Sequence, residues 1–327
     1  MTAKKLILTS DPNPTDPEPG IYHDLSWEKY AAWNCFSKSM VSSALRSGAH
    51  LDHYIHGERK TKSMALGSLV DTLVLEPEFY QERYVMQPRT YETEKTTGRG
   101  DKKVTETIEK PWNLNSKTCK AMAEEIAATG KEIVSESDLE KASILRDALM
   151  ASPEAALAIT EGEKQVSFVW VDEDTGVKCK GRADLVNSNT IDDLKTAVDA
   201  SPEEFARACG RFLYHVQAAA YTEGWNQVSG ESKTFRFIAA ETSGLTDPPQ
   251  VALYVLNPIS IAAGSHMFHR ALDRVKKWLD HGIAGYSTAF EPIDIPRWAI
   301  AQEGDMGEAV EVVQLPTARL VPRKEES

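Results

Sequence analysis

The chain has 327 residues, of which 41% are hydrophobic and 26% are charged, close to the average of globular proteins. This composition excludes a disordered, collagen-like or coiled-coil protein, and the length suffices for one large or two ordinary domains with a buried core. The 37 Lys and Arg residues against 49 Asp and Glu residues give a net charge of −12, which argues against a protein that coats duplex DNA through a broadly basic surface.

The sequence indicates neither a membrane segment nor an export signal. Its apolar runs stay below the roughly eighteen residues of a membrane span, and its start lacks the apolar core of a signal peptide. The cysteines stand singly, without zinc or iron–sulfur spacing: Cys35, Cys119, Cys179 and Cys209. We therefore expect a cytoplasmic protein with reduced thiols and no membrane association.

The first third of the chain is predicted to hold a flexible arm, a helical segment and an exposed loop. Residues 1–20 are Pro-rich and acidic, a composition that cannot bury a core. The pattern over residues 25–75 is mostly helical and ends in an apolar stretch, Met64 to Leu75, within which Asp71 lies. Residues 88–111 are rich in Lys, Glu, Thr and Gly and predict a long exposed loop.

The rest of the chain is predicted to mix helices and strands. In order, the pattern predicts helices at 116–128 and 137–150, strands at 165–171, 176–186 and 190–195, a helix over 201–225, strands at 233–240 and 250–256, and a helix at 258–279. This order predicts an α/β (α+β) fold, in which helices flank a central mixed β-sheet. We expect a single domain over residues 21–290 and a C-terminal tail of uncertain order over residues 291–327.

Two acidic residues and a lysine in the predicted strands form a candidate catalytic site. Side chains alternate along a strand, so Asp193 and Lys195 share a face with Ile191, while Leu194 lies on the other. Asp184 stands among apolar residues on the preceding strand, where an ionised carboxylate is costly unless it is compensated. Because two such carboxylates on adjacent strands repel each other, a divalent ion between them would remove the penalty and act as a Lewis acid.

The following helix carries a polar and aromatic stripe that could line this site. Gln217 and Tyr221 are four residues apart and share a helix face with Tyr214 and Trp225. Aromatic residues at helical spacing are more often part of a core than ligand contacts. The stripe therefore becomes a candidate only through the strands that precede it.

Taken together, these segments resemble the PDDEXK nuclease superfamily, and within it the RecE (exonuclease VIII) type of phage recombination exonuclease. The resemblance covers about residues 22–279. It is carried by Phe36-Ser-Lys-Ser-Met40, the stretch Met64 to Pro77, Gly181-Arg-Ala-Asp184, Asp193-Leu-Lys195-Thr and Gln217-Ala-Ala-Ala-Tyr221. Each motif alone is weak, whereas their order and spacing are specific.

The resemblance implies a PDDEXK restriction-endonuclease-like core and a role for each matching residue. Asp184 and Asp193 would bind Mg²⁺, or Mn²⁺ as a substitute, with the main-chain carbonyl of Leu194 as a further ligand. Lys195 would orient or help to deprotonate the attacking water and stabilise the charged transition state. Gln217 and Tyr221 would position the scissile strand as substrate-binding residues.

The chain departs from the family pattern at two positions. The apolar helix after Gly67 usually carries a metal-binding His in the family, whereas this chain has Asp71, whose oxygens suit Mg²⁺. We therefore include Asp71 as a candidate metal ligand, with a structural carboxylate as the alternative. At Gln165 relatives often have a carboxylate, so a second metal ion would be held more weakly or differently.

The resemblance implies a magnesium-dependent exodeoxyribonuclease that degrades linear double-stranded DNA, 5′ to 3′, and leaves 3′ single strands for a RecT-like annealing protein. Relatives act as ring-shaped homo-oligomers, and a ring would help an acidic protein to stay on DNA. Two alternatives stay open. One is another PDDEXK nuclease, either a single-strand exonuclease or an endonuclease, and the other is a catalytically silent DNA-binding or assembly protein.

Overall fold

A mixed seven-stranded β-sheet organises the structure, which is a computed structural model describing residues 15–57, 62–97, 104–244 and 246–282, with residues 285, 286, 290 and 293. In chain order the described strands are β1 (Gly20–Tyr22), β2 (Phe36–Ser37), β3 (Tyr84–Met86), β4 (Thr90–Thr97), β5 (Val104–Pro111), β6 (Glu132–Val134), β7 (Glu163–Val171), β8 (Lys178–Val186), β9 (Thr190–Ala197), β10 (Thr234–Glu241) and β11 (Val251–Val255). The main sheet runs in the order β1-β7-β8-β9-β10-β11, and β2 pairs with β8. Within the main sheet, pairing is antiparallel except between β9 and β10 and between β2 and β8.

Helices cover both faces of this sheet. The described helices are α1 (Trp27–Ala32), α2 (Lys38–Ala44), α3 (Gly48–His56), α4 (Lys62–Leu75), α5 (Tyr80–Arg83), α6 (Lys117–Ala128), α7 (Glu136–Ala151), α8 (Pro153–Glu161), α9 (Pro202–Arg211), α10 (Tyr214–Ser229) and α11 (Pro258–His281). Residues of α2, α3, α9, α10 and α11 form one hydrophobic cluster with the sheet, and residues of α4, α7 and α8 form a second. The predicted α/β fold with a central mixed sheet flanked by helices is confirmed.

The two clusters reflect the alternation of side chains along β9. Ile191 belongs to the cluster on the α10 side, and Leu194 belongs to the cluster on the α4 side. The odd-numbered residues of β9, Asp193 among them, therefore face α10, as the sequence predicts. Helix α4 approaches the other face closely, since a Cβ atom at Gly67 would lie 3.4 Å from the hydroxyl of Thr196.

A short left-handed corner separates α9 from α10. The sequence predicts one helical segment here with a break near Gly210. The structure places the break at Phe212 and Leu213, where Leu213 has a φ of 58°. This corner turns the chain so that α10 lies across β7 and β10, with its first turn facing the end of β9.

Residues 88–111 differ from the predicted exposed loop. Strands β4 and β5 pair over their full length from Thr90 opposite Pro111 to Thr97 opposite Val104, as a separate two-stranded antiparallel sheet. Both strands carry charged residues and few apolar ones, so no alternation of apolar residues marks them in the sequence. The excursion is thus a hairpin, and it pairs only with itself among the described strands.

All described secondary-structure elements lie within residues 1–285, which form one compact unit. The predicted tail over residues 291–327 and most of the predicted arm over residues 1–20 lie outside the described residues, so these boundaries stay predictions. In the part of the chain that the structure describes, no helix combines the length and apolar composition needed to cross a membrane.

Candidate functional site

The site lies at a gap along one edge of β8. This strand pairs with β7 along its length, but its other edge pairs with β2 at Cys179 and Lys180 and with β9 at Leu185 and Val186. The intervening stretch, Gly181-Arg-Ala-Asp184, pairs with neither of these two strands on that edge. Because β9 diverges from β8 here, the backbone edge of the motif on which the resemblance depends is left without a partner among the described strands.

The gap is bridged by a contact between Asp184 and the backbone of β9. The amide of Leu194 donates a hydrogen bond to Asp184 Oδ2 at 2.9 Å, in place of a regular ladder bond. The carboxylate of Asp193 comes from the same stretch of β9 and is buried, with 3% of its surface exposed. The two predicted catalytic carboxylates are therefore brought together.

Lys195 is the cation of this group. Its Nζ forms an ion pair with Asp193 Oδ2 and donates a hydrogen bond to the carbonyl of Leu194 at 3.4 Å. It also lies 5.1 Å from the ring centroid of Tyr214. Burial acts to lower the pKa of Lys195, but the carboxylates of Asp193 and Asp184 outweigh it and raise that pKa. Lys195 therefore stays an ammonium group near neutral pH.

Three carboxylic acids, Asp71, Asp184 and Asp193, lie close together in this buried region. Burial, and then the nearby charge of Asp193, raise the pKa of Asp184 to about 7, although Lys195 and the Leu194 amide act in the opposite direction. Burial and the neighbouring carboxylates of Asp184 and Asp193 also raise the pKa of Asp71, well above its ordinary value. Both side chains therefore favour the protonated form more than they do in water, and a bound cation would favour their ionised form.

Gln165 and Arg182 support Asp184 from β7 and from β8 itself. The Gln165 side-chain amide donates to Asp184 Oδ1 at 3.4 Å and accepts a hydrogen bond from Arg182 Nε at 2.7 Å. Arg182 also donates to the Leu25 carbonyl at 2.8 Å and to Ser167 Oγ at 3.1 Å. Its buried guanidinium therefore fixes the amide that stands where relatives are expected to have a carboxylate.

The predicted substrate-binding residues on α10 take two different positions. Gln217 Nε2 donates to Asp193 Oδ1 at 2.6 Å, so this side chain contacts the site directly. Tyr221 is buried in the core, where its ring packs against Phe168 and Phe235. Its hydroxyl accepts a hydrogen bond from the Arg182 amide at 3.4 Å and so occupies the gap in the β8 ladder. This position suits a support for the strand better than a contact with substrate, and the predicted roles of Gln217 and Tyr221 stay predictions.

Lys38 is a neighbour of the site that sequence reasoning did not single out. It begins α2 directly after β2, the strand that borders the gap, and it lies close enough to Lys195 and Asp193 for their charges to affect its pKa. Its Nζ donates to the carbonyl of Phe212 at 3.1 Å. Lys38 lies in the segment Phe36-Ser-Lys-Ser-Met40, which carried part of the resemblance. The resemblance assigned no chemical role to this segment.

The donor atoms suit a hard divalent cation. Carboxylate oxygens of Asp184 and Asp193 and the carbonyl of Leu194 are ligands that Mg²⁺ prefers, and Mg²⁺ commonly binds through one or two carboxylates while it keeps several waters. Among the residues that the structure describes, no three or more His, Cys, Asp and Glu side chains form a group spaced to hold a metal ion. Asp71 is therefore near both carboxylates without completing such a group, and its role as a ligand stays a prediction.

Comparisons with known proteins identify the family and the fold of the chain. Residues 36–287 match the model of a family described as a PDDEXK-like domain of unknown function (DUF3799). No curated protein matches the chain. Among solved structures, the chain is similar to a crystal structure from Eubacterium rectale named "Putative exonuclease", with a TM-score of 0.53 over 84% of this chain and 97% of that one. At 15% sequence identity, this similarity shows a common fold.

Proposed function

This chain belongs to the family of PDDEXK-like domains, and we propose that it is a divalent-metal-dependent deoxyribonuclease. The observation that carries the proposal is the meeting of Asp184, Asp193 and Lys195 at the gap between β8 and β9. Two carboxylates with one ammonium group, held by a rigid sheet, match the requirements of phosphodiester hydrolysis. A silent scaffold would gain nothing from burying these carboxylic acids side by side.

Asp184, Asp193 and the Leu194 carbonyl would hold the ion, with Asp71 as an additional candidate. When bound, Mg²⁺ or Mn²⁺ supplies charge neutralisation and an activated water. Lys195 stays protonated because the carboxylates raise its pKa, so it orients the water and neutralises charge that develops on the phosphate. Gln217 fixes the rotamer of Asp193, and the pair Gln165–Arg182 fixes that of Asp184.

We further propose that this nuclease has the mode of action of the RecE type. It would digest linear double-stranded DNA in the 5′ to 3′ direction as a ring-shaped homo-oligomer and leave 3′ single strands for a RecT-like annealing protein. These finer statements depend on the resemblance of the motifs. The net charge of −12 is consistent with a ring, since encirclement replaces part of the electrostatic attraction to DNA.

End-labelled DNA tests the proposal. Purified protein is incubated with Mg²⁺ and linear duplexes labelled at the 5′ or the 3′ end, with EDTA and Asp193→Asn as controls. We expect early release of the 5′ label, retention of the 3′ label on shortening strands, and no products in either control. Equal cutting of closed circular DNA would overturn the exonuclease assignment, and activity that survives Asp193→Asn would overturn the site.

A further inference from the structure

An aromatic and basic surface borders the candidate site at the corner between α9 and α10. Phe212 occupies this corner with 52% of its surface exposed, although the corner directly precedes a helix whose first turn is half-buried. The Arg211 guanidinium lies over its ring, with Cζ 5.3 Å from the ring centroid. We define Lys38, Arg211 and Phe212 as the rim surface.

Direct contacts join the rim surface to the candidate site. The ring centroids of Phe212 and Tyr214 are 5.7 Å apart, and Lys195 Nζ lies 5.1 Å from the Tyr214 ring centroid. On the other side of the corner, Lys38 Nζ donates to the Phe212 carbonyl at 3.1 Å. The Tyr214 ring therefore contacts both Phe212 and Lys195 and links the rim surface to the candidate site.

The charges of this surface favour an anionic occupant. Three cations lie around the corner. Lys38 Nζ donates to the Phe212 carbonyl, Lys195 Nζ lies 5.1 Å from the Tyr214 ring centroid, and the Arg211 guanidinium lies over the Phe212 ring. The chain as a whole carries a charge of −12, so this local group of cations is a distinct feature of the surface.

The exposed ring of Phe212 indicates which kind of anion would bind. A phosphate alone needs cations and gains nothing from an aromatic ring, whereas a nucleotide strand uses both, through stacked bases and paired phosphates. Within a duplex, neighbouring base pairs cover both faces of each base except at the terminal pair, whose outer face alone is open. An unpaired nucleotide can turn its base onto a ring while its phosphates reach the adjacent cations, so an aromatic ring beside the site suits an unpaired nucleotide.

We propose that the rim surface binds the unpaired terminal nucleotides of a DNA strand, with a base stacked on Phe212 and the flanking phosphates on Lys38 and Arg211. This inference rests on the proposed function, because it assigns the strand that the candidate site would cut. It gives the nuclease a preference for frayed or single-stranded ends over blunt ends.

Binding without cleavage tests this assignment. The full chain in EDTA is titrated into a duplex with a three-nucleotide unpaired end that contains 2-aminopurine, and into the matching blunt duplex, with fluorescence and anisotropy as readouts. We expect quenching of 2-aminopurine by the wild type, and a 5- to 150-fold weaker affinity of Phe212→Ala for the unpaired end, as expected for the loss of about one stacked base. The blunt duplex should bind both proteins about equally.

Further variants separate stacking from a merely apolar or structural effect. Phe212→Trp should restore quenching and affinity, whereas Phe212→Leu should not. Leu157→Ala is a matched control, because Leu157 is 57% exposed on α8, against the opposite face of the sheet. Lys38→Met and Arg211→Met should each reduce the dependence of log affinity on log salt by about 0.7.

Several outcomes would overturn the inference. Unchanged affinity of Phe212→Ala would do so, as would full rescue by Phe212→Leu, or an equal loss of affinity for blunt and unpaired ends. Failure of the proposed function is a separate result. If the wild type never cleaves DNA with Mg²⁺ but still quenches 2-aminopurine through Phe212, the strand-binding surface stands and the nuclease assignment falls.

Discussion

The two adjacent carboxylates of β9 have opposite surroundings. Asp192 is completely buried on one face, where it accepts hydrogen bonds from Asn187 and Thr190 at 2.8 Å each and forms an ion pair with Arg236. Asp193 is nearly as buried on the other face, but the cation paired with it, Lys195, also faces the carboxylate of Asp184.

This difference separates a structural carboxylate from a candidate catalytic one. Arg236 neutralises the charge of Asp192, and the hydrogen bonds satisfy its carboxylate oxygens. Asp192 therefore stabilises the turn between β8 and β9 and the pairing of β9 with β10. Around Asp193, burial and then the neighbouring carboxylates raise the pKa of Asp184 and of Asp71. Asp192 and Asp193 are both buried, and the charges of their neighbours distinguish them.

The strongest test compares the same substitution on both faces. Asp193→Asn should reduce cleavage of linear DNA at least about 1000-fold, because it removes a charged oxygen donor from the reacting centre. Asp192→Asn should change the rate by less than about 10-fold in protein that is folded by circular dichroism. Rates are measured from single-turnover digestion. A similar loss of cleavage activity in both variants would mean that Asp193 contributes to activity only by stabilising the fold.

Lys195 offers the next largest effect. Lys195→Met should reduce the cleavage rate about 100- to 1000-fold, since the ammonium group that neutralises developing charge is lost. Lys195→Arg should recover part of the rate, because the positive charge is kept while its geometry changes. The single-turnover rate at saturating DNA is the measurement. A wild-type cleavage rate in Lys195→Met would show that Lys195 takes no part in the reaction.

On the opposite face, the expected effect is on stability. Asp192→Asn weakens the contact with Arg236 and leaves an amide among donors that need an acceptor, so it should lower the free energy of unfolding by about 1–3 kcal/mol. Urea denaturation measures the change. Asp193→Asn should cost less, because it also relieves repulsion with Asp184. The reverse order of stabilities would contradict the contrast between the two faces.

The smallest effect concerns the metal. Gln165→Glu should tighten Mg²⁺ or Mn²⁺ binding about 10-fold, since it places a carboxylate beside Asp184 while Arg182 can still donate to it. Isothermal titration calorimetry of the DNA-free protein measures the affinity. Gln227→Glu is the control for net charge, because Gln227 binds the Val171 carbonyl at the other end of β7. Equal affinities in both variants would place the ion away from Gln165.

Much of the fold follows from local pattern. The predicted strands at 165–171, 176–186 and 190–195 correspond to β7, β8 and β9, and the predicted helix at 258–279 corresponds to α11. These elements carry apolar residues at the period of their secondary structure. The hairpin of β4 and β5 carries no such period, since it is held by its own ladder rather than by a core, and sequence reasoning assigned it to a loop.

Within the candidate site, the sequence identified the residue types but not their partners. Alternation along a strand placed Asp193 and Lys195 on one face, and the structure confirms this placement. No local pattern shows that Tyr221 is buried beneath the gap in β8, or that Lys38 lies beside Lys195. Both facts depend on contacts between segments more than 30 residues apart in the chain.

Sequence alone determined the order of β7 to β11 and of the helices among them, the motif residues, and the shared face of Asp193 and Lys195, because these depend on neighbours within a few positions. The tertiary structure decided where β9 leaves β8, which charged neighbours each carboxylate has, and which aromatic ring stays exposed beside the site. Such properties are sums of charge and burial over distant segments, and they arise only when packing brings those segments together.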